Sequence, residues 1–311
     1  MTFQDALDKI ASDQLLIFAF PFFIALLLIE RVADKRKGLG LYESKDMWAS
    51  ISMGLAAAVV EILPKVFAFM AFYAIHEANW LGLRDAVGRQ WWAWGLLLFA
   101  DDFAYYWFHR SNHEVRLFWA GHVSHHSSQY LNFGTALRQG VGERLHKFFF
   151  WLWIPILGFD PVMMFVMMSV NLIYQYWTHT EFVRRLPRAL EYVLNTASHH
   201  RVHHASQARY LDRNHAGVFI IWDRMFGTFS PELDSEPPIY GLTTNIDSHH
   251  PAYVATHEYA AIWRDVRRAK RLGDKLRYIF YAPGWSHDGD DMRAKIIRAS
   301  LEKADNDISP A

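Results

Sequence analysis

The chain of 311 residues contains no cysteine. Disulfides, thiolate metal sites and cysteine nucleophiles are therefore excluded, and any bound metal must rest on nitrogen or oxygen ligands. The chain also lacks net charge, with 32 Lys and Arg against 32 Asp and Glu. That balance removes the general electrostatic pull toward phosphate backbones, so no nucleic-acid partner is expected. No H-E-x-x-H motif occurs, which argues against the common zinc hydrolase arrangement. No internal repeat or low-complexity tract is present.

Apolar and aromatic residues are plentiful: 52% of the chain is hydrophobic and 16% aromatic. Mean hydropathy is near zero because an apolar half and a polar half cancel. A spanning helix needs about 20 mostly apolar residues, and four stretches are expected to meet that need, at about 15–32, 48–75, 91–108 and 148–178. The first has no basic n-region before it and no small-residue cleavage site, so it reads as a retained anchor rather than a signal peptide. The second is interrupted by Glu61, Pro64 and Lys65, with Glu61 and Lys65 at i, i+4. The third carries Asp101 and Asp102 in its second half. The fourth is broken at Gly158, Asp160 and Pro161, which predicts a helical hairpin or two half-spans.

Arg31, Lys35, Arg36, Lys37 and Lys45 follow the first stretch, whereas the N-terminus has Asp5, Asp8 and Asp13 against Lys9 alone. By the positive-inside rule the 33–47 loop is cytosolic. Counting spans forward then places every clustered histidine on that same side. The expected architecture is an all-α, multi-pass membrane bundle forming one domain over 1–311, in the inner membrane if the source is bacterial. Its cytosolic metal-binding cap is expected from 109–147 and 179–250, with an amphipathic C-terminal segment over 253–311. Within that segment Tyr259, Ile262, Trp263 and Val266 recur at helical spacing amid Arg264, Arg267 and Arg268. This pattern suits a helix on an anionic leaflet or a surface helix with a solvated charged face.

Of 17 histidines, nine lie in the windows 109–126 and 199–204. They form His109-Arg-Ser-Asn-His113, His122-Val-Ser-His125-His126 and His199-His200-Arg-Val-His203-His204. Residues three or four apart share one helix face, so each cluster can grip a metal from a single helix. Read as H-x3-H, H-x2-HH and H-x2-HH, the boxes supply eight imidazoles: His109, His113, His122, His125, His126, His200, His203 and His204. That is too many for one first-row ion and right for two, and imidazole favours Fe, Cu, Ni or Zn over Mg or Ca. His179 is expected as a ninth ligand. His199 is expected to support a ligand rather than bind, and His215 is open to either role. His76, His146, His249, His250, His257 and His287 are expected at surfaces or interfaces.

Metal-bound imidazoles usually donate their second N–H to a carboxylate or carbonyl. Asp101, Asp102, Glu114, Asp212 and Asp223 are candidates for that role, and Glu114 and Asp102 are the candidate catalytic carboxylates. Phe103, Tyr105, Tyr106, Trp107, Phe133 and Trp177 are candidate lining residues for a lipid tail, with plain interhelical packing as the alternative for each.

The three boxes resemble those of the fatty acid hydroxylase and sterol desaturase superfamily of membrane di-iron enzymes. The intervening strings Asp102-Phe-Ala-Tyr-Tyr-Trp-Phe-His-Arg110, Trp119-Ala-Gly-His-Val-Ser-His-His-Ser-Ser128, Thr135-Ala-Leu-Arg-Gln139, Asn195-Thr-Ala-Ser-His-His-Arg-Val-His-His204, Gly217-Val-Phe-Ile-Ile-Trp-Asp-Arg-Met-Phe-Gly-Thr-Phe229 and Tyr240-Gly-Leu-Thr243 are similar to the alkylglycerol monooxygenase branch. The resemblance runs from about residue 45 to Trp285. It implies two iron ions on the eight box histidines, His179 at a further ligand position, O2 as co-substrate, and hydroxylation of a lipid C–H bond. In the ether-lipid branch the carbon beside the ether oxygen of an alkylglycerol is hydroxylated and a fatty aldehyde is released. The electron donor there is tetrahydrobiopterin; a redox protein is the other option for this chain. Alternatives at this level are a desaturase, a hydroxylase of an ornithine lipid, sterol or carotenoid, and a non-enzymatic membrane metal-binding or transport protein.

Overall fold

Helices are the regular elements of the computed structural model, which describes residues 2, 4, 5 and 15–308. Asp8, Lys9 and Asp13, used above for orientation, lie outside the described residues. The first apolar stretch is α1 (Leu15–Lys37), which runs through Pro21 and ends in Lys35, Arg36 and Lys37, cations suited to a helix C-terminus. The second stretch forms α2 (Ser44–Val60) and α3 (Ile62–Ala78). Pro64 cannot donate to the Val60 carbonyl, so a continuous helix fails here, and the two segments meet at Glu61 with a bend of 43°.

The third stretch is longer than expected. It forms α4 (Trp91–Glu114), so one helix carries both the apolar run and the first histidine box. A short extended link at Val115 leads into α5 (Arg116–His126), which bears the second box. The fourth stretch is not one helix. Residues 142–157 coil through three 3-10 turns, Gly158 takes a left-handed φ of 90°, and Asp160 caps α6 (Pro161–Tyr176). Proline at the first helical position and aspartate before it are the expected start signals. The third box lies on α7 (Ala197–His203), and the C-terminal region forms α8 (Pro251–Arg268), α9 (Leu272–Phe280) and α10 (Ala294–Ile308).

Among the described residues no single helix is long and apolar enough to cross a membrane, whereas α2 and α3 together are. Many large apolar side chains of α1 to α3 face outward, among them Phe18, Phe22, Leu28, Leu55, Leu63 and Phe67. The main core lies between α3, α4, α6 and the 3-10 turns, where Val66, Phe69, Phe72, Leu97, Phe108, Trp151, Met163 and Met164 are buried. A second core ties α1 to α6 through Phe23, Leu27, Phe133 and Tyr176.

The amphipathic helix α8 packs on α5 and α2. It buries Val254 and Ile262 and leaves Trp263 64% exposed. Arg116 at the start of α5 fixes it through Glu258 at 2.7 Å and Asp265 at 2.8 Å. Part of the face expected to rest on a leaflet is therefore occupied by protein. His76, expected at a surface or an interface, is buried. His146 is half-buried: it bonds Asn112 at 2.7 Å and stacks on Phe118, with Phe108 as its other aromatic contact.

Candidate metal centre

The last turn of α4 presents His109 and His113, α5 presents His122, His125 and His126, and α7 presents His200 and His203, with His204 as its C-cap. His179 follows the end of α6. The fold sorts these nine histidines into two groups. His109, His113, His122, His126 and His203 form one; His125, His179, His200 and His204 form the other. Within each group the ligand atoms lie within 4.8 Å of one another, and all nine residues are buried.

The outer ring nitrogens show how the inner ones are poised. Nδ1 of His109 donates to the His215 carbonyl at 2.8 Å, that of His125 to the Arg138 carbonyl at 2.9 Å, that of His179 to the Gln175 carbonyl at 2.9 Å and that of His203 to the Arg213 carbonyl at 2.9 Å. His122 Nδ1 meets Glu143 Oε2 at 2.8 Å, and His113 Nδ1 meets Asp212 Oδ1 at 3.3 Å. An oxygen acceptor at Nδ1 fixes the proton there and leaves Nε2 as a bare lone pair. Yet Nε2 of His109 and of His122 stand 3.1 Å apart, and Nε2 of His125 and of His179 stand 3.3 Å apart. Nε2 of His113 and of His203 is buried with no hydrogen-bond partner. Lone pairs that face one another at such distances repel unless a cation lies among them. The all-imidazole donor set therefore fits two first-row metal ions, iron among them.

Burial keeps these rings neutral. It holds His125, His126, His200, His203 and His204 well below the usual imidazole range, reinforced by the neighbouring histidines. His179 is lowered to about 4 by burial. Neutral imidazole is the ligating form. Burial pushes the Glu143 carboxyl up, but the His122 hydrogen bond and the Arg144 charge outweigh it and hold Glu143 at about 2.

Glu143 is a functional residue that the box pattern does not contain. Its position depends on two glycines. A side chain at Gly121 would strike the backbone of Glu143, and one at Gly140 would strike the Gly121 carbonyl. Only their absence lets α5 and the 139–143 segment close up and bring Glu143 to His122. The local signal for it is Glu143-Arg-Leu-His146, the Glu-x-x-His spacing used in soluble di-iron bundles, although only Glu143 reaches the histidine groups.

The other carboxylates fall into distinct places. Asp212 supports His113, as noted above. Asp223 receives the backbone N–H groups of His215 and Ala216, each at 2.8 Å, and so sets the carbonyl that orients His109. Asp102 is buried and takes the N–H groups of Val218 at 2.6 Å and Phe219 at 2.8 Å and the Trp222 indole N–H at 2.9 Å. Asp101 accepts from the indole of Trp151 and from Asn171. Both acids act as tethers from α4 to neighbouring segments. Glu114 is half-exposed and pairs with Arg110 at 2.8 Å. Neither Asp102 nor Glu114 belongs to a histidine group. His199 accepts from the Thr196 backbone in a capping box and pairs with Glu191 at 3.1 Å, so both its nitrogens are engaged. His215 is fully buried, and neither ring nitrogen has a partner.

Two cavities, each about 310 Å³, touch different histidines. The first touches His109, His122, His125, His179 and His200 and is walled by Phe20, Phe23, Ile24, Leu55, Leu172 and Tyr176. The second touches His113, His126 and His203 and is lined by Trp119, Ser206, Asp212, Thr243, Thr244 and Glu258. Of the aromatic residues expected to line a lipid tail, Tyr105 lines the first cavity. Phe103, Tyr106 and Trp107 instead pack on Phe226, and Phe133 stacks on Tyr176.

A helical scaffold with three histidine boxes converging on two imidazole clusters defines a class, and residues 94–228 match the fatty acid hydroxylase family model. The matched segment includes all three boxes. At the level of individual proteins it is similar to alkylglycerol monooxygenase. It is 39% identical to that of Danio rerio over 271 residues, covering 86% of this chain and 59% of the relative. It is 40% identical to that of Homo sapiens over 277 residues, with the same coverage. For Xenopus tropicalis the identity is 39% over 272 residues, covering 85% of this chain and 58% of the relative. The chain spans about three-fifths the length of these relatives. No solved structure matches.

Proposed function

We propose that the chain is a membrane-bound, O2-dependent monooxygenase that hydroxylates a lipid C–H bond, with two iron ions held by the nine clustered histidines. The observation that carries this reading is the pair of inward-facing Nε2 clusters beside a mostly apolar cavity. His109, His113, His122, His126 and His203 would hold one ion, and His125, His179, His200 and His204 the other. Iron so held supplies the one-electron and O2 chemistry that no amino-acid side chain provides. The net reaction consumes O2, two electrons and two protons and yields the hydroxylated lipid and water.

The protein's own part is to bind, orient and exclude. Carbonyls and carboxylates at Nδ1 fix the imidazoles before substrate arrives, so little reorganisation is left for the reaction. The wall formed by Phe23, Ile24, Leu55 and Tyr176 removes water from an acyl or alkyl chain. Similarity to the alkylglycerol monooxygenases supports an ether lipid as substrate. Hydroxylation beside the ether oxygen would give a hemiacetal that splits into a fatty aldehyde and an alcohol. We further propose that the reductant is a reduced pterin or a redox protein. The exposed apolar faces of α1 to α3 support membrane insertion, with the histidines on the cytosolic side.

The test is metal content per chain in detergent-purified protein, wild type and His125→Ala. The expected result is about two irons in the wild type and fewer in the variant, followed by O2-dependent oxidation of 1-O-alkylglycerol. One zinc per chain, or no metal after anaerobic iron loading, would sink the mechanism.

A further inference from the structure

The wall of the first cavity is not uniformly apolar. At the bend between α2 and α3 it carries Glu61 and Lys65, and the facing 3-10 segment adds Gln139, Glu143, Arg144 and Lys147. Charged groups in a segment of this hydrophobicity are costly unless they serve a function. Part of the cluster is internally paired: Arg144 reaches Glu61 at 3.3 Å and Gln139 at 2.8 Å, and Lys65 lies 3.7 Å from Glu61. Two donors are left over. Arg144 is only 4% exposed, lines the cavity, and its Nε has no hydrogen-bond partner. Lys147 lines the same cavity, and its contacts are with the faces of Phe148 and Trp151 rather than with an oxygen. A buried guanidinium N–H without an acceptor is expensive, and it marks where a ligand oxygen would sit.

Three cations, Lys65, Arg144 and Lys147, face two carboxylates, Glu61 and Glu143, and Glu143 is already committed to His122 at 2.8 Å. The pole therefore has a surplus of positive charge and of donors. The same carboxylate joins it to the metal centre, since Arg144 lies 3.8 Å from the other oxygen of Glu143.

We propose that Arg144 and Lys147 form a head-group clamp in the first cavity, which takes a single-chain amphiphile whose head group offers oxygen acceptors. This rests on the lipid-oxidising reading above and deepens it. The chain lies along the wall formed by Phe20, Phe23, Ile24 and Leu55, while hydroxyl or phosphate oxygens engage Arg144 Nε and Lys147 Nζ. A cationic head group is rejected. Because one residue separates the clamp from His122, the carbon presented to the metal centre is near the head group rather than at the tail end.

The test is equilibrium binding to the full iron-loaded chain in digitonin, with three probes that share a hexadecyl chain. These are hexadecylglycerol, an uncharged diol; hexadecyl phosphate, an anion; and hexadecyltrimethylammonium, a cation. The expected result is that the first two bind and the cation does not compete. Lys147→Met should weaken hexadecyl phosphate about tenfold or more and the diol less, as expected for loss of a charge-assisted hydrogen bond. Arg144→Lys keeps the charge but removes the Nε donor, and should weaken both. Iron content and melting temperature of each variant confirm that the fold is intact. A phosphate preference over the diol identifies a phospholipid-type head group, equal binding a polyol, and either supports the clamp. Wild-type ranking preserved in both folded variants, or equal competition by the cation, would overturn it. If the ranking holds while no lipid is ever oxidised, the clamp stands and the oxygenase reading fails.

Discussion

The two histidine groups differ in number and in what stands behind them. The five-membered group has carboxylates at two of its outer nitrogens, Glu143 on His122 and Asp212 on His113. The four-membered group has neutral backing, the carbonyls of Arg138 and Gln175 on His125 and His179, and Nδ1 of His200 is buried with no partner. A carboxylate behind an imidazole raises its basicity and its affinity for metal. The five-membered group also reaches both cavities, the four-membered group only the first of the two. His125, His179 and His200 of the four-membered set line the first cavity together with His109 and His122 of the other set, whereas His113, His126 and His203 line the second. On the reading proposed above, the five-membered group would hold its ion the more firmly. The other has fewer histidines and weaker backing, and it shares the first cavity with His109 and His122.

The strongest way to break this asymmetry is His122→Ala, because Nε2 of His122 faces both His109 and His126. The expected outcome is loss of one of two irons per chain, read by elemental analysis, and of lipid turnover to background. Equal loss from both groups would show that they are not separate sites. A milder change is Glu143→Gln, which should weaken metal binding at the five-membered group by about 10- to 100-fold and leave the other unchanged. Chelator titration followed by metal analysis measures this. Asp102→Asn should act on the fold instead. Removing the charge and one acceptor orphans buried N–H groups of Val218, Phe219 or Trp222, at about 1–3 kcal/mol each. A lowered melting temperature with both irons retained is expected, and iron loss at unchanged melting temperature would restore a direct role for Asp102.

The smallest effect concerns pH. Burial lowers His179 and His199 to about 4, while unfolded imidazoles titrate near 6.5. Below about 6.5 the unfolded chain takes up protons that the folded metal-free chain refuses, so stability falls as pH drops and levels off below about 4. Melting curves of the metal-free protein from pH 7.5 to 4 should show this. The slope should be shallower in His179→Ala, which removes one such ring.

What the sequence reveals of this arrangement follows from how local each feature is. The boxes are legible because ligand pairs three or four residues apart share a helix face, and no tertiary knowledge is needed to see it. His179 needed the added information that α6 ends beside the boxes. Glu143 was hidden because it reaches His122 through the close approach at Gly121 and Gly140, a contact that no periodicity encodes. The backing carbonyls of His215, Arg138, Gln175 and Arg213 were hidden for a simpler reason: every residue has one. Asp102 drew notice as an acid within an apolar run, but its partners are backbone N–H groups more than a hundred residues away. In the same way, nothing in the immediate neighbours of His76 and His146 signals the burial of the first or the aromatic contacts of the second.

Eight of the nine histidines also line one or other of two separate cavities. The first and second cavities touch different histidines of the same centre, so a molecule in one need not leave before another enters the other. Kinetically, this predicts a sequential scheme with a ternary complex. Double-reciprocal plots for lipid at several reductant concentrations should intersect, and parallel lines would mean that the two reactants share one door.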